Sequence, residues 1–163
     1  MKTPLTTNKA GINLIKNFEG TGPVVKGFCH PYICPAGYWT IGYGSRFLAD
    51  GTPVTGSTTP ISLDDAEKLL AATLKQYEDA VNGCVKAYIN ENQFAALVSF
   101  VYNLGPASLR SSSLLKFLNV NNYAAAADEF PKWNKGRVNG ILVELPGLTK
   151  RRAAERALFK QAV

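Results

Sequence analysis

The chain lacks long apolar runs, and its first residues do not have the pattern of a signal peptide. No apolar stretch in its 163 residues is long enough to span a bilayer. The first nine residues lack the apolar segment of a signal peptide, so we expect none. We therefore expect no membrane-spanning helix, and export by another route if the substrate lies outside the cytoplasm. With 46% hydrophobic residues, the chain is long enough for one soluble domain, divided into two lobes, and too short for two large domains.

Cysteine is also scarce. Three cysteines form neither a Cys-x-x-Cys pair nor an even disulfide framework. Cys29-His30 and Cys34 offer metal-ligating side chains in a short segment, but a second ligand pair is missing, so we expect no metal and no cofactor. Cys84 is predicted to be a small buried residue at a helix end. The sequence leaves open whether Cys29 and Cys34 form a disulfide.

Positive charge is concentrated in the C-terminal part. Residues 1–131 hold ten Lys/Arg and ten Asp/Glu, whereas residues 132–163 hold eight and two, which accounts for the net charge of +6. No helix-turn-helix, zinc or RNA-binding signature accompanies this patch, so we expect no nucleic acid. A basic C-terminal helix would fit an anionic outer-membrane or cell-wall surface. A solvated face with internal ion pairs fits the same pattern.

The most informative pattern is a carboxylate followed by a Gly-rich strand. Glu19 ends an apolar helical stripe, so a helix would present its carboxyl to a partly nonpolar cleft that favours the protonated acid. Residues 38–41 have the composition of a β-strand, and Gly42 and Gly44 permit close approach of a ligand to the backbone. This combination suggests a carbohydrate-cleaving site, because a glycosidase needs an acid to protonate the leaving oxygen.

Five segments, in order, resemble those of the phage-type lysozymes, the endolysins of glycoside hydrolase family 24. They extend over about residues 10–160. The matching segments are Glu19-Gly20, Cys34–Gly44, Asn92–Gly105, Ser112–Leu115 and Leu145–Phe159. The resemblance implies that the chain is a peptidoglycan-cleaving enzyme with the fold of that family.

That fold is α+β and mainly helical, with a small β-hairpin lobe joined by a long helix to a helical lobe. We expect one lysozyme-like catalytic domain over residues 1–163, acting as a monomer. The small lobe would cover about residues 20–61, the connecting helix about 62–82, and the helical lobe about 1–19 and 83–163.

Local patterns predict the elements in more detail. The predicted helices cover residues 8–19, 62–82, 90–104, 111–119, 121–130 and 148–162, and the predicted strands lie near 38–43 and 46–56. Pro131 and Pro146 would act as helix breakers. Residues 50–53 would form a hairpin turn between the strands.

The resemblance implies a mechanism at three positions. The reaction would be hydrolysis of the β-1,4 bond between N-acetylmuramic acid and N-acetylglucosamine, with inversion. Glu19 would be the general acid, Cys34 stands at the position of the second catalytic residue, and the Thr40 hydroxyl would hold the attacking water. A thiol at position 34 could accept the proton of the water or only position it. We expect positioning, because no cation except His30 is near to stabilise a thiolate.

The resemblance further implies substrate contacts at Gly44, Tyr102, Asn103 and Ser113, and makes Arg151 an ion-pair candidate for Glu19. Tyr102 and Ser113 fit a core aromatic residue and a helix N-cap equally well.

Two features depart from the family pattern. Fourteen residues separate Glu19 from Cys34, where the family has eight, so about six are inserted within residues 21–33. Their composition predicts turns and loops. Ser45 stands where many members carry His.

Three other functions remain open on the sequence alone. A lytic transglycosylase would need the acid but no water-activating group, a wall-binding module would need neither, and a cationic membrane-active protein would depend on residues 148–162. For a phage endolysin without a signal peptide, the resemblance implies residence in the host cytoplasm until holin-type membrane lesions release the protein to the periplasm.

Overall fold

The computed structural model describes residues 2–162 and divides along the chain into two compact units. The sheet unit comprises Ile15–Gln76; the helical unit comprises the chain before and after it. Helix α1 (Lys9–Glu19) and helix α2 (Leu63–Cys84) each run from one unit into the other. The predicted α+β fold is confirmed.

Five short strands lie in the sheet unit. They form an antiparallel sheet of order β1-β2-β5 and a separate β3-β4 hairpin. Their bounds are Val24–Val25 (β1), Phe28–Cys29 (β2), Tyr32–Ile33 (β3), Trp39–Thr40 (β4) and Ile61–Ser62 (β5). The β3-β4 hairpin holds two of the three predicted catalytic positions, Cys34 at its closed end and Thr40 at the end of β4.

The prediction that residues 21–33 form only turns and loops is wrong. Val25 pairs with Phe28 across a two-residue turn, in which Lys26 and Gly27 have φ of 51° and 83°. Positive φ at both positions is the geometry of a type I′ hairpin turn. Cys29, at the end of this hairpin, is fully buried. The glycines of the insert therefore close a hairpin and do not mark an irregular loop.

The predicted strand over 46–56 is wrong as well. The turn is present, because the Leu48 amide donates to the Thr52 carbonyl at 2.8 Å and the Asp50 carboxylate accepts the Thr52 amide at 2.9 Å. Pairing beyond it is limited to an isolated bridge between Phe47 and Pro53. The bridge is flanked by the Leu48–Thr52 hydrogen bond and by one from the Val54 amide to the Arg46 carbonyl at 2.9 Å.

Helix ends are fixed by short polar side chains. The Asn8 side chain accepts the Gly11 amide at 3.0 Å at the start of α1, and the Ser62 hydroxyl accepts the Asp65 amide at 3.1 Å at the start of α2. Such side chains satisfy amides that have no intrahelical partner. At the other end of α1, Gly20 adopts φ of 64° and terminates the helix. Glu19 is consequently its last residue.

The core of the helical unit is α3 (Glu91–Leu104), which is buried on almost every side between Phe94 and Val101. A capping box of Asn90 and Gln93 starts it. The other helices are α4 (Pro106–Ser111), α5 (Ser113–Asn119), α6 (Tyr123–Glu129), a 3₁₀ turn (Phe130–Lys132) and α7 (Pro146–Lys160). The prediction of a buried central helix is confirmed.

Two helix boundaries differ from those predicted. The helix predicted over residues 111–119 starts at Ser113, because Ser112 is its N-cap. Ser111 is the last residue of the preceding helix, α4. Pro146 is the first residue of α7 and does not break it, since an amide at that position would have no helical partner.

A further hairpin was not predicted. Strands β6 (Lys135–Val138) and β7 (Ile141–Glu144) pair across Asn139-Gly140, whose φ values are 51° and 78°. Asn-Gly between β-branched residues is the strongest short-range hairpin signal. We refer to residues 135–144 as the C-terminal hairpin.

Candidate active site

The carboxyl proposed as the acid lies where α1 stops. Glu19 is half-buried, and the Gly20 amide donates to the Lys16 carbonyl at 3.0 Å to close the last turn. One turn earlier, Lys16 pairs with Glu67 at 3.2 Å. The Glu-Gly sequence thus places the carboxyl at a fixed point, the exit of a helix.

Cys34 lies at the closed end of the β3-β4 hairpin. The Gly37 amide donates to the Cys34 carbonyl at 2.8 Å, and the Cys34 amide donates to the Tyr38 carbonyl at 2.9 Å. Gly37 has φ of 87°. This is a three-residue loop in which Pro35 fits the first turn position and Gly37 the left-handed one. Pro-Ala-Gly therefore determines where the thiol lies.

The loop also changes the acidity of the thiol. Burial disfavours the thiolate, but hydrogen bonds from the backbone of Tyr38, Ala36 and Gly37 and from the Thr40 side chain outweigh it, so the pKa of Cys34 is lowered. The sequence shows no cation near Cys34 except His30 that could stabilise a thiolate. In the structure, backbone amides of the loop stabilise it instead.

Thr40 is buried, with only 2% of its surface exposed. Its hydroxyl donates to the Tyr38 carbonyl at 2.9 Å, and the same side chain helps to lower the pKa of Cys34. A hydroxyl has one proton, so it cannot donate to the carbonyl and to a thiolate together. With the thiol protonated, S–H can donate to the Thr40 oxygen; after ionisation the hydroxyl proton can turn to sulfur. Thr40 thus adapts to either state of Cys34.

Tyr32 is a site residue that sequence reasoning missed. It pairs directly with Thr40 across the hairpin, so the two side chains share a face, and Cys34 follows on that face two residues later. Burial, then the charges of Glu19, Cys34 and Cys29, raise the pKa of the Tyr32 hydroxyl. A neutral phenol donor therefore lies near both proposed catalytic groups. Strand alternation was the signal that could have revealed it.

Gly22 connects the helix exit to this hairpin. Its φ is 64°, and a Cβ there would lie 2.3 Å from the Tyr32 ring. Only glycine fits under the ring without displacing it. The loop that follows Glu19 is thereby held against the hairpin that carries Cys34 and Thr40.

We expect Gly22→Ala to lower both the melting temperature and the lytic rate, because the methyl group meets the Tyr32 ring in addition to backbone strain. Gly27→Ala is the matched control, since Gly27 also has positive φ (83°) but nothing lies within 4 Å of its Cβ position. Strain alone, about 1–2 kcal/mol, should lower the melting temperature by only a few degrees. Equal rates in the two variants would show that the Gly22–Tyr32 contact does not position the site.

The turn after β4 contains the predicted contact Gly44. Ile41 and Ser45 exchange backbone hydrogen bonds of 2.9 and 3.1 Å, and Gly42 and Gly44 between them have φ of 61° and 98°. Ser45 is buried, with its hydroxyl 2.9 Å from that of Thr73 on α2. The residue that replaces the family histidine therefore binds α2.

The remaining predicted contacts belong to the helical unit. The Tyr102 ring packs edge-on against Tyr77 at 5.1 Å, and the exposed Asn103 accepts a hydrogen bond of 2.9 Å from Arg152. Ser113 is exposed, and the N-cap hydroxyl is that of Ser112, which accepts the Leu115 amide at 3.1 Å. The N-cap alternative for Ser113 is thus wrong, and its role as a substrate contact remains a prediction.

Arg151 belongs to a buried polar cluster. It donates to the Ser99 carbonyl at 3.2 Å and approaches Glu155 at 3.4 Å, while Ser99 donates to Glu155 at 2.6 Å. Arg152 Nε lies 2.7 Å from Glu155 Oε1, a charge contact without hydrogen-bond alignment. Burial raises the pKa of Glu155, and the two guanidinium charges oppose that shift. An ion pair of Arg151 with Glu19 remains a prediction.

All three cysteines are free thiols; Cys29 is buried, while Cys34 and Cys84 are half-buried. Among residues 2–162, no group of three or more His, Cys, Asp or Glu side chains is placed to hold a metal ion. Within the same range, no helix is both long and apolar enough to cross a membrane.

Comparison with known proteins gives consistent matches over most of the chain. The chain is 39% identical over 155 residues to the endolysin of Acyrthosiphon pisum secondary endosymbiont phage 1, covering 95% of this chain and 98% of that one. Its fold matches the endolysin of Escherichia coli O157:H7 phage FAHEc1 with a TM-score of 0.88 at 32% identity, covering 100% and 98%. It also matches the muramidase domain of SpmX from Asticaccaulis excentricus, with a TM-score of 0.75 at 34% identity, covering 96% of this chain and 99% of that one.

With this fold and a carboxyl, a thiol and a hydroxyl held by one unit, the protein is a lysozyme-type glycoside hydrolase that acts on peptidoglycan. The phage lysozyme family model matches residues 16–155, and the chain belongs to that family.

Proposed function

We propose that the protein cleaves the β-1,4 bond between N-acetylmuramic acid and N-acetylglucosamine with inversion, using Glu19 as acid and Cys34 as base. Glu19 protonates the leaving oxygen. The Cys34 thiolate, held with Thr40, takes the proton of a water that attacks the opposite face of the sugar. The observation that carries this proposal is the hairpin loop, which lowers the pKa of Cys34 through its own amides.

This assignment goes further than the expectation from sequence, in which Cys34 only positions water. A free thiol with a pKa of about 8.5 is mostly protonated at neutral pH and would be a poor base. A lowered pKa increases the thiolate fraction at that pH, and a base is most effective when its pKa is close to the working pH. No carboxylate is then needed at position 34.

Inversion is tested by the first-formed anomer. Cleavage of a β-linked disaccharide unit from soluble glycan strands should initially give the α-anomer at the new muramic acid reducing end, followed by slow mutarotation. Proton NMR during the first minutes distinguishes the two. The β-anomer as first product would mean retention and would remove the assignment of Cys34 as the base for the attacking water.

We propose further that the protein acts as a monomer and reaches peptidoglycan from the cytoplasm of the phage host through holin-type membrane lesions. Turbidity of outer-membrane-permeabilised Gram-negative cells measures activity without that step. The purified protein should clear them directly. Lysis of intact cells expressing the protein without any lesion-forming partner would contradict the release route.

A further inference from the structure

The C-terminal hairpin exposes apolar side chains on both of its faces. Val138, Ile141, Leu142 and Val143 are 46%, 66%, 55% and 36% exposed. Four such residues in one ten-residue segment form a patch, and patches mark interaction sites more often than scattered apolar residues do.

The register distributes the patch over the two faces. From turn to base, the cross-strand pairs are Val138 with Ile141, Arg137 with Leu142, Gly136 with Val143, and Lys135 with Glu144. Successive pairs point to opposite faces of a hairpin, so Ile141 and Leu142 lie on different faces. Apolar character is greatest beside the turn, and the charged pair lies at the base.

The same hairpin carries two exposed positive charges, Lys135 and Arg137. On α7, Arg151 and Arg152 are buried around Glu155, and Arg156 pairs with Asp128 at 2.7 Å. Lys132 pairs with Glu129 at the same distance. The exposed cations of residues 132–162 are Lys132, Lys135, Arg137, Lys150 and Lys160, of which two lie on the hairpin. The basic character of α7 seen in the sequence is therefore mainly internal.

We propose that the C-terminal hairpin binds the surface of anionic phospholipid bilayers, with Ile141 and Leu142 immersed at headgroup depth and Lys135 and Arg137 bound to lipid phosphates. A bilayer covers both faces of an inserted tip, whereas a flat protein surface covers one. Strands of four residues are about 13 Å long, which suits an interfacial depth of about 5–10 Å.

Chemistry favours lipid over the other candidate occupants. Residues 135–144 contain no aromatic side chain and so offer no ring on which a sugar could stack. The hairpin has two basic residues, Lys135 and Arg137, and a single acidic one, Glu144, so it is better matched to an anionic surface than to a second copy of itself. An anionic bilayer matches both the charge and the apolar surface of the hairpin. Each basic residue near the lipid phosphates contributes electrostatic attraction, and each apolar side chain buried among the lipids strengthens binding further.

The test is co-sedimentation of the full chain with vesicles of phosphatidylglycerol or of phosphatidylcholine. The parent should bind phosphatidylglycerol vesicles, and the double variant Ile141→Ser, Leu142→Ser should bind at least about tenfold less, because two exposed side chains lose their apolar burial. Val120→Ser is the matched control, since Val120 is 72% exposed outside the hairpin. Lys135→Gln with Arg137→Gln should lose the preference for phosphatidylglycerol.

Equal binding by the parent and the Ile141→Ser, Leu142→Ser variant would overturn the proposal, as would failure of the parent to bind phosphatidylglycerol. Hydrolysis of purified sacculi separates this result from the proposed function, because sacculi contain no bilayer. The double variant should hydrolyse them at the parental rate. A loss of hydrolysis equal to the loss of vesicle binding would assign the hairpin to substrate and overturn the lipid assignment. A parental dimer that the double variant abolishes would assign it to a second copy instead.

Discussion

Glu19→Gln is expected to lower the rate of peptidoglycan lysis by at least about a hundredfold, the lower end of what a positioned general acid contributes. The amide has nearly the shape of the carboxyl but cannot protonate the leaving oxygen. Because Glu19 is half-buried at the exit of α1, the exchange should leave the fold intact. The measurement is the initial clearing rate of permeabilised cells, with the melting temperature recorded alongside.

Glu67→Gln is the control for charge. It removes one negative charge from the same unit, at a residue whose side chain is 52% exposed and contacts Lys16. An exposed ion pair contributes little to stability, so the activity and melting temperature should be almost those of the parent. If Glu19→Gln melts like the parent and retains most of its activity, Glu19 is not the acid.

Three substitutions at Cys34 separate a base from a group that only holds water. Cys34→Ser keeps a small hydroxyl that can position water but has no accessible anion, Cys34→Ala can do neither, and Cys34→Asp supplies a carboxylate. If the thiolate is the base, the serine and alanine variants should both lose at least about a hundredfold, and the aspartate variant should retain activity. A serine variant close to the parent would show that Cys34 only positions water.

The pH profile gives the same distinction with the parent protein. Catalysis needs a protonated Glu19 together with an ionised Cys34, and carboxyls ionise at lower pH than thiols. Activity of the parent should therefore fall as the pH rises through the lowered pKa of Cys34, where the thiolate fraction stops increasing while the acid continues to lose its proton. This descending limb should move to lower pH in Cys34→Asp, because both groups are then carboxyls. A parental limb that is unchanged in Cys34→Asp would belong to another group.

Cys34 should react with an alkylating reagent faster than Cys29 and Cys84. Cys29 is fully buried and burial raises its pKa, as it does for Cys84, whereas the Cys34 pKa is lowered. Reactivity follows the accessible thiolate. Iodoacetamide at neutral pH should therefore modify Cys34 before the others and stop lysis in parallel, as peptide mapping by mass spectrometry would show. Full activity after complete modification of Cys34 would exclude it from the mechanism.

The elements that sequence predicted well are those specified by local signals. Ser62 ahead of Asp65 predicted the start of α2, and the apolar composition around Phe94 predicted a buried central helix. The C-terminal hairpin has an equally local signal in Asn139-Gly140, although it was not predicted. The prediction for residues 21–33 was wrong for a different reason, because Gly27 was taken as a sign of a loop and instead lies in the turn of a hairpin.

The candidate site was likewise predicted only in part. Glu19, Cys34 and Thr40 were proposed from motif order, and the structure places all three in the sheet unit. The acidity of Cys34 could not be predicted, because it depends on amides that converge only when Pro35 and Gly37 shape the loop. Tyr32 was hidden by the interpretation of residues 21–33 as a loop, although alternation places it on the face of Thr40.

Hydrolysis by water at this site can be followed by digesting purified sacculi in ¹⁸O-labelled water and analysing the muropeptides by mass spectrometry. We expect one ¹⁸O atom at each new muramic acid reducing end, formed at least about a hundredfold more slowly by Glu19→Gln. Unlabelled 1,6-anhydro ends would contradict this expectation, because they form when the muramoyl 6-hydroxyl, and not water, attacks the sugar.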